Sequence, residues 1–410
     1  MDLWIERTQI SLYDIILLKT CLELDMKKIS VIIPLYKGER YIKKLIKCLL
    51  QCSSVLREIE DFQMEVIFVN DDPETKINTE HFEISEFKVK VIQNEKNCGI
   101  HYSRVDGLRH AQGDYVLFLD QDDYINPEYF VSQFAHIGND NVVICNGKYR
   151  NDREIIFNEK EAGRIADIND YFSTLSGIIS PGQAIIRKNC IPKEWTENIL
   201  LGNYCDDAFL WLLLKDKGEK FAINREILYF HNEDGSNTSL QWNHTAVALA
   251  EMYDVIEKKS LLKERNRLIL KKCIQEKINK HTQYFWVEQK LQELYLKKMQ
   301  LSKYMEQNEI NTLAIYGYGV LGRKILSYLE DCNIKVEYVI DESAEAFEQD
   351  NWQIKTLKDQ LDEVDLVVIT PIFAFESIRE ELNKKIHAKC MPLNEFCDEV
   401  LRCKNCAVIN

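Results

Sequence analysis

The stretch Gly113-Asp-Tyr-Val-Leu-Phe-Leu-Asp-Gln-Asp-Asp123 decides how this chain is read. Tyr115 to Leu119 is an almost unbroken apolar run, short enough for a strand and too apolar for one that faces water. It ends on three carboxylates within four residues, Asp120, Asp122 and Asp123. Like charges that close disfavour one another's ionisation unless a cation or a strong donor answers them. Oxygen-only ligands suit a hard divalent ion, Mg2+ or Mn2+, and such an ion neutralises the charge of a departing diphosphate. A solvated acidic turn is the plain alternative. Against it stands a second acidic strand end upstream, Asn70-Asp71-Asp72, directly after Val66-Ile-Phe-Val69.

Outward from these two runs the chain alternates. Ile29 to Ile33 and Val89 to Ile92 read as further strands, Glu39 to Leu56 has helical spacing through Ile42, Leu45, Ile46, Leu49 and Leu50, and Ser103 to Ala111 reads as a short helix. Apolar strands alternating with amphipathic helices give an α/β fold, a largely parallel sheet covered on both faces. Ligands of such sheets bind beyond the carboxyl ends of the strands, which is where the aspartates lie. From about 126 to 240 the pattern loosens into mixed α and β, as a substrate-facing half would.

The whole-chain numbers agree with this class. At 410 residues the chain is long enough for two or three domains. Its 52 Lys plus Arg against 66 Asp plus Glu give a formal charge of −14, the opposite of what phosphate-contacting nucleic-acid binders carry. The 13 cysteines follow no repeating frame and read as reduced thiols of a cytoplasmic protein. No apolar run reaches membrane-span length; Ile15 to Leu24 is short and carries Lys19 and Glu23. Residues 1–26 form a weakly patterned extension that breaks at Asp25, and Met26-Lys-Lys28 leads straight into the first strand, so Met26 is a candidate natural start. A docked N-terminal helix is the equal alternative.

From Thr245 to Glu309 there is neither Gly nor Pro, and 13 basic residues face 9 acidic ones. Long helices fit this stretch. Its charge reads as a solvated face, or as a surface for an acidic partner or the inner face of a membrane. A second α/β unit begins at Thr312, with strands Leu313–Tyr316, Val336–Ile340 and Leu366–Thr370. Gly317, Gly319 and Gly322 follow its first strand and open a helix, and Asp341 ends its second strand, the context of a pyrophosphate-binding turn with a ribose-binding acid. Nucleotide binding there, NAD(P) included, and a ligand-free scaffold stay equally open. Cys390, Cys397, Cys403 and Cys406 lack the repeated spacing of a zinc site. The expected boundaries are thus 1–26 extension, 27–243 catalytic domain, 244–309 helical linker, 310–394 Rossmann-like domain and 395–410 Cys-containing tail.

Five motifs occur in register: Ile29-Ser-Val-Ile-Ile-Pro-Leu-Tyr36, the acidic strand end at 70–72, Asn97-Cys-Gly99 with Arg104, the 113–123 stretch, and Cys205-Asp-Asp-Ala-Phe-Leu-Trp211. Over roughly residues 28–240 this resembles the family 2 glycosyltransferases, enzymes with a GT-A-type mixed sheet flanked by helices. The resemblance implies that Asp71 hydrogen-bonds the uracil of a nucleotide-sugar donor, with Pro34 and Tyr36 flanking the base. It further implies Arg104 near the diphosphate, Asp120 and Gln121 on the donor, Asp122 as metal ligand, and Asp207 as general base with Asp206 beside it. His231 matches a residue that touches diphosphate or metal, although a lone His is as well explained as a loop residue; Gly235-Ser-Asn237 after it reads as a lid. Departures are Asn70, Asp72-Pro73, Asp106 and Lys37, which alter the base pocket and add negative charge beside the donor.

The implied activity is an inverting, metal-dependent transfer of a sugar from a nucleotide diphosphate, UDP foremost, to a hydroxyl of a glycan or lipid-linked saccharide. Two other readings compete. One is an NAD(P)-dependent oxidoreductase or epimerase using the C-terminal turn, for which no hydride-transfer acid is evident; Thr370-Pro371 and His387 do not supply one. The other is a non-catalytic assembly module of polysaccharide synthesis. Self-association is not legible.

Overall fold

The computed structural model describes residues 27–57, 62–77, 82, 84–149, 155, 159–175, 177–232, 242–342, 344 and 352–403. The N-terminal extension, the Gly235-Ser-Asn237 segment and Cys406 lie outside them. The chain divides into two compact units, residues 1–238 with 247–275, and residues 239–246 with 276–410.

The first unit is built on one eight-stranded sheet. Its strands are β1 (Lys27–Leu35), β2 (Phe62–Asn70), β3 (Lys88–Gln93), β4 (Tyr115–Phe118), β5 (Tyr124–Ile125), β6 (Val142–Lys148), β7 (Ala184–Arg187) and β8 (Phe221–Phe230). They lie in the order β3-β2-β1-β4-β7-β6-β8-β5. The β3, β2, β1 and β4 strands are mutually parallel, β7 runs antiparallel to both β4 and β6, and β8 is parallel to β6. The alternating pattern predicts the parallel half, β3-β2-β1-β4; the antiparallel β7 makes the whole the mixed α/β sheet that the resemblance implied. β1 and β4 consist almost wholly of buried residues because helices cover both faces. The helix Glu39–Arg57 buries Ile42, Leu45, Cys48, Leu49, Cys52 and Leu56, the i, i+3, i+4 stripe that its sequence spells out.

After β1 the chain order passes to β2 and β3 on one side, whereas β4 joins on the other. The carboxyl ends of β1 and β4 therefore flank a switch point, the place where open α/β sheets leave room for a ligand. Tyr36 follows one strand and Asp120 to Asp123 follow the other.

In the second unit five strands form an all-parallel sheet: β9 (Leu313–Tyr316), β10 (Val336–Ile340), β11 (Ile354–Lys355), β12 (Leu366–Ile369) and β13 (Lys389–Pro392), in the order β11-β10-β9-β12-β13. Strand residues alternate between two cores. Leu313, Ile315, Val339, Leu366 and Val368 pack on one face with Ile325, Leu329, Phe396 and Val400. Ala314, Tyr316, Tyr338, Ile340, Val367 and Ile369 pack on the other with Leu382 and Ile386. The Gly317 turn is sterically determined. Gly317 has φ +95°, and a Cβ on it would lie 2.5 Å from Thr370 Oγ1. A Cβ on Gly322 would sit 1.9 Å from the Gly317 carbonyl oxygen, so the helix Val320–Asp331 can approach the strand end only without a side chain there.

Candidate active site

Asp71 leaves the end of β2 buried, and both its carboxylate oxygens are engaged with the next crossover. Oδ1 accepts from Asn94 Nδ2 at 2.7 Å and the Cys98 amide at 2.8 Å, and Oδ2 accepts from the Gly99 amide at 2.7 Å. The acid thereby fastens the Asn97-Cys-Gly99 turn, in which Gly99 takes φ +86°, and sets where the helix Ile100–His110 begins. Asp72 does similar local work, accepting from the Glu74 amide and the Thr75 hydroxyl. Three of the acceptor positions on Asp71 are thus occupied by the protein.

That helix carries Arg104 inward. Arg104 is 3% exposed and bridges two acids from distant parts of the chain: one guanidinium nitrogen lies 2.6 Å from Asp206 Oδ2 and the other 2.5 Å from Asp120 Oδ1. Burial works against its charge, but Asp206, Asp120 and Asp207 together raise its proton affinity and keep it a cation. A planar fork is the group suited to joining two carboxylates in this way. Arg104 is therefore a clamp between two acids, at the residue that the resemblance implied lies near the diphosphate. Asp120 also accepts from Ser180 Oγ at 3.1 Å.

The rest of the acidic turn divides its work. Asp123 is buried and held by the Tyr229 hydroxyl, the Asn232 amide at 2.9 Å and His231 Nδ1 at 3.2 Å. The pairing of β5 with β8, Tyr124 opposite Phe230 and Ile125 opposite Tyr229, brings His231 to this turn from more than a hundred residues away. Asp122 is half-buried, and burial with the charges of Asp123 and Asp120 pushes its carboxyl up to about 7. Gln121 turns back to β1: its Oε1 accepts from the Tyr36 amide at 3.0 Å and its Nε2 donates to the Tyr36 carbonyl at 3.3 Å. It thus orients a tyrosine that is 45% exposed, while Pro34 lies buried within β1.

Asp206 and Asp207 open the helix Asp206–Lys217. Asp206 is buried against Arg104, and its carbonyl accepts from Trp195 Nε1 at 2.7 Å. Asp207 is half-buried. Burial and the adjacent Asp206 charge push it up to about 7, with Arg104 acting in the opposite sense. A carboxylate poised there can take a proton at neutral pH.

Asp120, Asp206 and Asp207 thus share Arg104, Asp122 is linked to them through the charge of Asp120, and Asp71 holds the turn from which the Arg104 helix begins. Among the described residues no three His, Cys, Asp or Glu side chains form a ready-made cation cage. The donor chemistry nonetheless fits a hard divalent ion, because Asp122 is a carboxylate whose neighbours penalise its ionisation until a cation answers it. Sequence reasoning missed Asn94, Ser180, Trp195 and Tyr229 as partners; none stands next to a motif residue in the chain. In the second unit Asp341 Oδ2 accepts from the Tyr318 amide at 2.8 Å, so that acid and the glycine turn meet.

Residues 30–192 match the family model described as Glycosyl transferase family 2, and this segment is a glycosyltransferase domain. The chain is 25% identical over 330 residues to the minor teichoic acid biosynthesis protein GgaB of Bacillus subtilis, covering 74% of this chain and 32% of GgaB. It is 36% identical over 106 residues to the poly(ribitol-phosphate) β-N-acetylglucosaminyltransferase TarS of Staphylococcus aureus, covering 25% of this chain and 18% of TarS. A crystal structure of S. aureus TarS 1–349 in complex with UDP superposes with a TM-score of 0.43 at 21% identity, covering 60% of this chain and 70% of that one. The chain spans about a third or less of the length of these curated relatives. No helix among the described residues is long and apolar enough to cross a membrane.

Proposed function

We propose that this chain transfers a sugar from a UDP-sugar to a hydroxyl of a cell-wall polymer or lipid-linked saccharide, with inversion. The observation that carries the reading is Arg104, which ties Asp120 of the acidic turn to Asp206 beside Asp207, so that donor-side and acceptor-side acids share one buried clamp. The names of GgaB, a teichoic acid biosynthesis protein, and TarS, a poly(ribitol-phosphate) glycosyltransferase, support a polymer acceptor.

Asp207 takes the proton of the acceptor hydroxyl as the bond to the anomeric carbon forms. Its proton affinity near neutrality supports that role. A single base acting opposite the leaving group gives inversion. Asp122, with His231 beside the same turn, would hold Mn2+ or Mg2+, which when bound supplies charge neutralisation for the departing UDP. Asp120, Gln121, Tyr36, Pro34 and Asp71 form the donor wall, and Arg104 fixes the spacing between Asp120 and the Asp206-Asp207 pair. The second unit, with its glycine turn and strand order, supports a Rossmann-like reading; nucleotide binding there is an independent question. The same reading has the protein work in the cytoplasm, at the inner face of the membrane where its acceptor is lipid-linked.

The test is UDP release from UDP-sugars with Mn2+, with and without a teichoic-acid-type acceptor. Turnover by the wild-type chain together with lost donor binding in Asp122→Ala supports the reading. Absence of both hydrolysis and transfer, with donor binding unchanged in Asp122→Ala, defeats it.

A further inference from the structure

The segment that leads into Asp206-Asp207 is irregular, yet it is fastened at four points. The Leu200 amide donates to His101 Nδ1 at 2.9 Å, and the Asn203 side-chain oxygen accepts from the Ile100 amide at 3.1 Å. The remaining two fastenings come from one side chain. Glu251, on the helix Trp242–Lys258, accepts from the Leu201 amide through Oε1 at 2.7 Å and from the Gly202 amide through Oε2 at 2.9 Å. Gly202 is seated against the same helix, where an added Cβ would lie 3.0 Å from Ala248 Cβ and 3.1 Å from Glu251 Oε2. The glycine lets the loop come close enough for both amides to reach one carboxylate.

The start of the base-bearing helix has no side-chain cap of its own: Cys205 precedes it without a capping bond. Its position is held by Arg104 and Trp195 on Asp206, and this loop leads into it. In the loop Leu201 is 81% exposed although its amide is pinned, and Leu200 before it and Cys205 after it are buried. Binding sites need such support from the residues around them, and this loop runs directly into Asp206 and Asp207.

We infer that Glu251 is a positioning residue for the acceptor side of this site: its bidentate hold on Leu201 and Gly202 sets the loop that borders the acceptor hydroxyl and fixes the approach to Asp207. The inference rests on the glycosyltransferase reading above. Glu251 touches none of the donor-side acids, and the bonds that tie the loop to the Arg104 helix, Leu200 to His101 and Asn203 to Ile100, do not pass through it, nor do the Arg104 clamp and the Trp195 bond to Asp206. Its loss therefore loosens acceptor placement and leaves donor binding in place.

The experiment compares the full chain with Glu251→Ala and Glu251→Gln in Mn2+. UDP release from UDP-N-acetylglucosamine is measured with water as sole acceptor, and with whichever of poly(ribitol phosphate), poly(glycerol phosphate) or a β-N-acetylglucosaminide the wild-type chain uses fastest. Misplacement on the ångström scale predicts that Glu251→Ala lowers kcat/KM for the acceptor by about tenfold or more. The KM for donor and the hydrolysis rate stay within about twofold by the same reasoning. Glu251→Gln keeps one acceptor oxygen and falls between, and hydrogen exchange at the Leu201 and Gly202 amides quickens in both variants. Acceptor kcat/KM unchanged in both, or donor KM rising as much as acceptor KM, overturns the inference. Should Glu251→Ala not fold, the glutamine variant decides by the same outcomes. A wild-type chain that turns over no UDP-sugar defeats the glycosyltransferase reading and this one with it; normal turnover that both variants share defeats only this one.

Discussion

Replacing Asp206 by Asn removes one negative charge from the cluster and little else. The amide is isosteric, and its oxygen can still accept the Arg104 N–H that Asp206 Oδ2 takes at 2.6 Å, so the clamp stays closed. What changes is Asp207, which burial and the Asp206 charge together push up to about 7. Adjacent carboxylates at the start of a helix lie on the order of 6 Å apart, and an effective dielectric of about 20–40 makes their repulsion roughly 1.4–2.8 kcal/mol. Removing it lowers the proton affinity of Asp207 by about one to two pH units. Arg104, left with less charge to answer, acts on Asp207 in the same direction. The acid limb of kcat/KM, followed as UDP release between about pH 5 and pH 9 at fixed Mn2+, therefore moves to lower pH. The plateau falls modestly, since a weaker base accepts a proton less well. An acid limb that stays in place or moves up would refute the account of why Asp207 is poised near neutrality.

Two further outcomes follow from buried contacts. Arg104→Met deprives Asp120 and Asp206 of their shared cation, a loss of about 3–5 kcal/mol for a broken buried pair, and a melting scan should register it as a drop of roughly 6–20 °C in a unit of this size; a melting temperature within 2 °C or so of wild type would contradict the clamp. Gly322→Ala forces a Cβ onto the Gly317 carbonyl and should destabilise the second unit, whereas Gly319→Ala, whose added Cβ meets nothing within 4 Å, should leave it unchanged in chemical denaturation; equal effects of the two would show that the turn is not sterically set.

The parts of the fold that were legible in the sequence are those whose burial is uniform. Val66 to Val69 and Tyr115 to Leu119 are apolar throughout because their strands are covered on both faces, and the acids at their ends stand out for the same reason. β6 and β8 were not legible. β8 reads Phe-Ala-Ile-Asn-Arg-Glu-Ile-Leu-Tyr-Phe, its burial follows no clean alternation, and its register against β6 shifts twice, between Cys145 and Asn146 and again between Asn146 and Gly147. Without β8 and its pairing with β5, His231 has no visible reason to be near Asp123. In the site, residue types were legible but partners were not. Asp71 and Arg104 each stood in a motif, yet nothing in the sequence says that one holds a turn and the other bridges two acids, since those bonds join residues up to 102 positions apart. Glu251 lies in a helix whose charge pattern reads as a solvated face, and its link to Gly202, 49 residues back, exists only in three dimensions. The helix Leu393–Arg402 was obscured by Cys397 and the cysteines that flank it, although Leu393, Phe396, Cys397 and Val400 have the spacing of a buried stripe.

The most direct measurement of the central claim is the turnover of Asp207→Asn beside its affinity for UDP-sugar in the presence of Mn2+. If Asp207 takes the acceptor proton, the amide should cost about 10²–10⁴-fold in transfer while UDP-sugar binds as tightly as to the wild type. Transfer retained within a few fold, or donor affinity lost in step with the rate, would mean that the acid does not act on the acceptor.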